Sequence, residues 1–167
     1  MEKRIVVCPG CGVQLASENE KLDDQFHASA ACRALSYELS YYTLSLQDSD
    51  FIHQLVVDTY AAQHVGPQVK PITIAFALVG LYLVCEKQYT GKHVQHTHMV
   101  LATANHSKIW PQFSLPTTKA FLTVQDVVHS PDKTKQEMIT NWCQSVWQIW
   151  KPEREKVMAL LNRYVSL

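Results

Sequence analysis

Two cysteines set in a five-residue turn, Cys8-Pro9-Gly10-Cys11-Gly12, constrain this chain more than any other stretch. Thiolates at this spacing grip one side of a tetrahedral ion, and Pro9 and Gly10 favour the tight turn that aims both sulfurs the same way. Gly12 permits the positive φ that turns backbone amides toward the sulfur of Cys11. Ile5, Val6 and Val7 lead in as a short strand. Downstream, Ser29 sits where an N-cap belongs, its hydroxyl accepting the amide hydrogen of Cys32. Cys32 then falls in the first turn of a helix, where the positive end of the dipole favours a thiolate. His27 lies just before this cap. The pattern Cys-x2-Cys-x15-His-x4-Cys reads as a Cys3His zinc site made of Cys8, Cys11, His27 and Cys32. Its first half is the specific half. Cys32 and His27 are assigned by reach along the chain, and a solvated loop histidine is the competing reading of His27. A thioredoxin-like dithiol competes for Cys8 and Cys11, as do plain free cysteines. The redox reading needs a helix starting at the motif inside a βαβ unit, which Gly12 and the polar stretch 17–24 oppose.

A chain of 167 residues can bury a core without disulfides. A single helical domain is expected over residues 1–167, with 1–32 forming the knuckle and the start of the first helix and 33–167 the bundle. Fifteen basic residues balance fifteen acidic ones, which removes any global pull toward nucleic acid or an anionic membrane and disfavours both as partners. Of the five cysteines, two stand in metal-type spacing and two more, Cys85 and Cys143, in apolar helical surroundings. This usage fits a reducing cytoplasm. No secretory signal is expected from Met1-Glu2-Lys3-Arg4. The longest hydrophobic run, Ile72 to Cys85, has fourteen residues interrupted only by Thr73 and Gly80. A bilayer span needs about 20, so this run reads as a buried core helix.

Hydrophobic periodicity predicts an all-α bundle of five to six helices. The first runs from about Ala30 to Leu46, with Ala31, Leu35, Leu39, Tyr42 and Leu46 at helical spacing. Asp48, Ser49 and Asp50 offer a cap to a second helix from about Phe51 to His64, which Gly66-Pro67 ends. Pro71 suits the first turn of a third helix, apolar nearly all round and continuing to about Gln88. Thr90 caps a fourth, near Gly91 to Asn105, followed by an irregular segment broken by Pro111 and Pro116. Thr123 to Asp126 resembles a capping box over one short turn. Ser130-Pro131-Asp132 opens the last long helix, with Ile139, Trp142, Val146 and Trp150 on one stripe and a break at Pro152.

The second helix carries the densest polar set, His53, Asp58, Tyr60 and His64, with Gln63 at its end placed to line the mouth of a site. At about 100° per residue, His53, Val57, Tyr60 and His64 share a stripe while Asp58 lies well round the barrel. His53 and His64 stand about 16 Å apart along a straight helix, too far to share an ion. A catalytic pair of Asp58 and His64, with His53, Tyr60 and Gln63 as binding residues, therefore needs a partner helix. The competing reading makes Asp58 a hydrogen-bond acceptor for a neighbouring helix, Tyr60 a buried ring with a satisfied hydroxyl, and His64 a cap on the last turn. His93, His96 and His98 cluster without an interleaved carboxylate or cysteine and read as a solvated, weakly basic face rather than a metal site. Trp142, Trp147 and Trp150 read as core rather than a base-stacking platform, because no basic rim accompanies them.

Laid out in order, the chain resembles the bacterial family catalogued as domain of unknown function 5946. The matching stretches are Cys8 to Gly12, Ala28-Ser29 with Cys32, Val57 to His64, Leu78 to Leu81, Leu122-Thr123-Val124 with Asp126-Val127, and Trp142 with Ser145-Val146-Trp147 and Trp150. The resemblance covers almost the whole chain and implies no activity. The family pattern has a histidine early in the apolar run of the third helix, where this chain has Phe76-Ala77. That departure counts against a site shared by the second and third helices. The reading that follows is a cytoplasmic zinc-binding helical module acting through a protein or small-ligand surface. The alternative is a metal-dependent, hydrolase-like enzyme built around Asp58 and His64.

Overall fold

Helix-forming runs separated by Gly, Pro and Asp punctuation leave this chain little choice of class. The computed structural model, which describes residues 3–166, is helical apart from one small hairpin. Met1 and Glu2, on which the expectation of no secretory signal partly rests, lie outside the described residues. Strand β1 (Arg4–Val7) pairs antiparallel with β2 (Gln14–Ser17), in the register Arg4↔Ser17 to Val7↔Gln14. The lead-in strand was expected; its partner β2 was not, because Gln14 to Ser17 is too short and too polar to stand out by periodicity.

Six helices of eleven residues or more follow, with one single-turn helix between the fourth and the next: α1 (Ala30–Ser45), α2 (His53–Gln63), α3 (Pro71–Lys87), α4 (Gly91–Ala104), α5 (Val124–Val128), α6 (Asp132–Trp150) and α7 (Arg154–Tyr164). A 3-10 turn, Lys151–Glu153, joins the last two at Pro152, which has no amide hydrogen for an unbroken helix. Two of the caps read from sequence are in place: the Ser29 hydroxyl accepts from the amide of Cys32 and Thr90 from that of His93. The expected cap of α2 is not, because Asp48 accepts from the amide of Ile52, one residue ahead of the helix, and no side chain caps its first turn. Thr123 and Asp126 close a reciprocal capping box. Among the described residues no helix is long and apolar enough to cross a membrane.

Helices α2 and α3 form the centre, α3 burying Ala75 and the unbroken run Ala77 to Leu83. Helix α6 covers both, and its three tryptophans combine apolar burial with one satisfied indole N–H each. Trp142 donates to Gln63 Oε1 (2.8 Å), Trp147 to Glu86 Oε1 (2.9 Å) and Trp150 to the carbonyl of Ala62 (2.9 Å). A buried donor left unpaired costs about 1–3 kcal/mol, so these bonds fix which way each ring points. They also bring the end of α2 into register with α6 and so set where His64 lies.

Candidate metal centre

The hairpin turn presents its two thiols inward. The amide of Gly12 donates to the carbonyl of Cys8 (2.8 Å), and Gly12 takes φ +81°, the left-handed region that a side chain would strain. Cys32 arrives from the first turn of α1, held there by the Ser29 cap. The fourth group comes from the far end of α2. His64 caps that helix, and its Nε2 lies 3.4 Å from Cys32 Sγ. The four ligand atoms of Cys8, Cys11, Cys32 and His64 all lie within 4.8 Å of one another, and every one of these residues is buried. Among the described residues this is the one His/Cys/Asp/Glu group so assembled.

The spacing suits a metal. A tetrahedral zinc with bonds of about 2.3 Å to sulfur and 2.0 Å to nitrogen has S···S edges of about 3.8 Å and S···N edges of about 3.5 Å. Cys11 and Cys32 are 3.8 Å apart, and Cys32 and His64 3.4 Å. The electrostatics agree. Contacts with Cys11 and Cys32 push the Cys8 thiol far below its ordinary range. The contact with Cys32 pulls Cys11 down, but Cys8 and burial outweigh it and drive Cys11 up to about 12. Contacts with Cys11 and Cys8, together with burial, push Cys32 higher still. Three thiols packed this closely cannot all ionise without a cation between them, and a divalent ion supplies that charge.

The surroundings orient the ligands. His64 Nδ1 donates to the carbonyl of Tyr60 (2.8 Å), which leaves Nε2 as the lone-pair nitrogen facing the thiols. The Tyr60 ring stacks on His64 with centroids 4.0 Å apart, and its hydroxyl donates to Cys32 Sγ at 3.7 Å. Gly10 is needed for this approach, since a Cβ there would fall 2.6 Å from His64 Cδ2. Lys119, in the irregular segment after α4, donates to the carbonyls of Pro9 and Gly10, both at 2.6 Å. Beside that contact lies a cleft of about 240 Å³ lined in part by His27, Gln63, Thr117, Lys119 and Trp150.

His27 is not brought into the cluster. Its backbone amide donates to the carbonyl of His64 (2.9 Å), and its ring packs against Gly66. The residue nearest in sequence thus braces the ligand, while the histidine that completes the group comes from a helix end 32 positions beyond Cys32. The signal that could have found it was Gly66-Pro67, which stops α2 just after His64, at the level of the knuckle.

Asp58 and His64 do not meet. Asp58 points into the layer between α2, α3 and α4, where it presses on Gly80, accepts from Gln54 Nε2 (3.1 Å) and lies 4.0 Å from His98 Nε2. Burial raises the Asp58 pKa well above the usual carboxylate range and lowers that of His98 to about 4, so His98 is uncharged near pH 7 and the contact is not an ion pair. His98 is therefore not on the solvated face with His93 and His96. It turns inward, stacks on Phe76 and donates to that residue's carbonyl (2.9 Å), whereas His93 and His96 are exposed. Among the remaining expected binding residues, His53 accepts or donates at Thr43 Oγ1 (2.8 Å), which ties α2 to α1. Gln63 is spent between Trp142 and the carbonyl of Leu122 (2.8 Å for both bonds).

The fold and the cysteine cluster define a helical bundle with a Cys3His group at one corner. The chain belongs to the Family of unknown function (DUF5946), whose family model matches residues 6–151. No curated protein and no solved structure matches it.

Proposed function

We propose that the chain is a zinc-binding module in which Cys8, Cys11, Cys32 and His64 hold one structural zinc. The observation that carries this reading is the convergence of three thiols and one imidazole nitrogen within 4.8 Å, from three separate elements and all buried. Four protein ligands fill a tetrahedral shell and leave no open position for a substrate or water, so the ion's role is to fasten the hairpin to α1 and α2. Five free thiols suit a reducing compartment, and the cytoplasm is the natural one.

A closed centre does no chemistry, so the module acts through a surface, and the cleft beside the knuckle is the best supported one. It sits where Lys119 joins the segment after α4 to the zinc turn, and its mixed lining, with Leu115, Ile149 and Trp150 beside His27, Thr117 and Lys119, suits a small polar ligand or a short protein segment. Metal analysis of the purified chain tests the centre: about one zinc per chain is expected, with loss in His64→Ala and retention in His27→Ala. Full thermal stability of a metal-free native chain would overturn it.

A further inference from the structure

Cys85 and Cys143 lie 58 positions apart in sequence, yet their sulfurs face each other at 3.6 Å where α3 packs on α6. Their access differs. Cys143 is completely buried, while Cys85 is only partly buried, the one of the five thiols that is not fully covered. Cys85 lines a cleft of about 500 Å³ with Glu86, Gln144, Trp147, Lys151 and Arg154. Neither cysteine belongs to the metal cluster.

We propose that Cys85 and Cys143 form an oxidisable dithiol, a modification site for small hydroperoxides, with Cys85 as the thiol attacked and Cys143 as the one that resolves it. The argument rests on reach. An oxidant entering the cleft meets Cys85 and not Cys143, and the sulfenic acid formed on Cys85 has a thiol within van der Waals contact before a second oxidant can arrive. In the first step the Cys85 sulfur attacks one peroxide oxygen, the O–O bond breaks, and an alcohol or water leaves with the thiol proton. In the second, the Cys143 sulfur attacks the Cys85 sulfur, the S–O bond breaks, and the hydroxyl leaves as water with the proton of Cys143. Two thiols are oxidised to one disulfide and one hydroperoxide is reduced by two electrons. The sulfurs must close from 3.6 Å to a bond of about 2.05 Å. The product is a covalent tie between α3 and α6, independent of the metal reading.

The test treats the intact chain with one equivalent of hydrogen peroxide, alkylates remaining thiols, and maps peptides by mass while a chromogenic chelator follows metal release. The expected result is a Cys85–Cys143 linked peptide, lighter by two hydrogens than the sum of its parts, as the main product with no metal released. In Cys143→Ala, Cys85 is expected to be trapped by dimedone instead, and in Cys85→Ser, Cys143 is expected to remain alkylatable. Two results on the unsubstituted chain would overturn the proposal, whatever the variants do. One is Cys85 carried to the sulfinic acid while Cys143 stays free. The other is oxidation of Cys8, Cys11 or Cys32 with both Cys85 and Cys143 left alkylatable.

Discussion

The knuckle corner and the α2–α3–α6 core hold together by different means. In the core, Trp142, Trp147, Leu78, Leu81 and Val146 are sealed from water, and apolar burial with satisfied indole N–H groups carries the packing. At the corner, the hairpin leaves Ile5 65% and Val7 55% exposed, so little apolar area is gained by docking it. Two strands of four residues are marginal alone, and what fixes them is the group of thiols and His64 beneath. The comparison teaches that a cluster of potential metal ligands stands where the hairpin itself buries little apolar surface, and the proposed zinc would there take the place of burial. The two regions should therefore fail separately.

The largest effect should come from the corner. Cys11→Ser removes one ligand of a site whose binding free energy, on the order of 10 kcal/mol for structural zinc, is also folding free energy. Metal content should fall together with a loss of roughly 10 °C or more in Tm. Elemental analysis paired with thermal unfolding checks this, and a metal-free variant with unchanged Tm would break the contrast between the regions.

Next in size is the core. Trp142→Ala should cost about 3–5 kcal/mol as a large-to-small change, and it also strips Gln63 Oε1 of its indole donor. Denaturant unfolding measures it, and metal stoichiometry should stay at the unsubstituted value. A loss below about 1 kcal/mol would show that α6 does not depend on this ring.

The buried contact between Asp58 and His98 gives a pH signature of intermediate size. His98 has a folded pKa of about 4 against an ordinary value of 6.5. The unfolded chain thus takes up a proton that the folded chain refuses, so stability present above pH 6.5 is lost as pH falls toward 4, by up to about 3 kcal/mol. Asp58 acts with the opposite sign. Its raised pKa contributes stability at low pH that is lost as pH rises above 3.8. The difference between unfolding curves of the unsubstituted chain and His98→Gln isolates the histidine, and it should shrink steadily from pH 6.5 to 4. A difference independent of pH would show that His98 titrates normally.

The smallest effect sharpens the corner itself. His27→Ala should keep the metal and shift stability by roughly 1 kcal/mol or less, because His27 contributes its backbone amide to the carbonyl of His64 and only ring packing on Gly66. Metal lost from His27→Ala and kept by His64→Ala would reverse the assignment of the fourth ligand.

Much of this molecule is written in local signals. The turn Cys8 to Gly12 and the Ser29 cap that seats Cys32 depend on residues within a few positions of each other. So do the stops at Gly66 and Pro152, and each could be read from the sequence. The all-α class followed from periodicity for the same reason. What lay outside the sequence was long in range. His64 joins Cys32 across 32 positions, His98 turns from its histidine neighbours to face Asp58, and Cys85 meets Cys143 across 58. Spacing along a chain limits which groups can meet through a loop, but it says nothing about groups brought together by the crossing of two helices. That crossing is set by the packing of α6 on α2 and α3, where Trp142 and Trp150 bond to Gln63 and Ala62 just before His64. Local chemistry therefore chose three of the four groups at the candidate metal centre, and the tertiary packing chose the fourth.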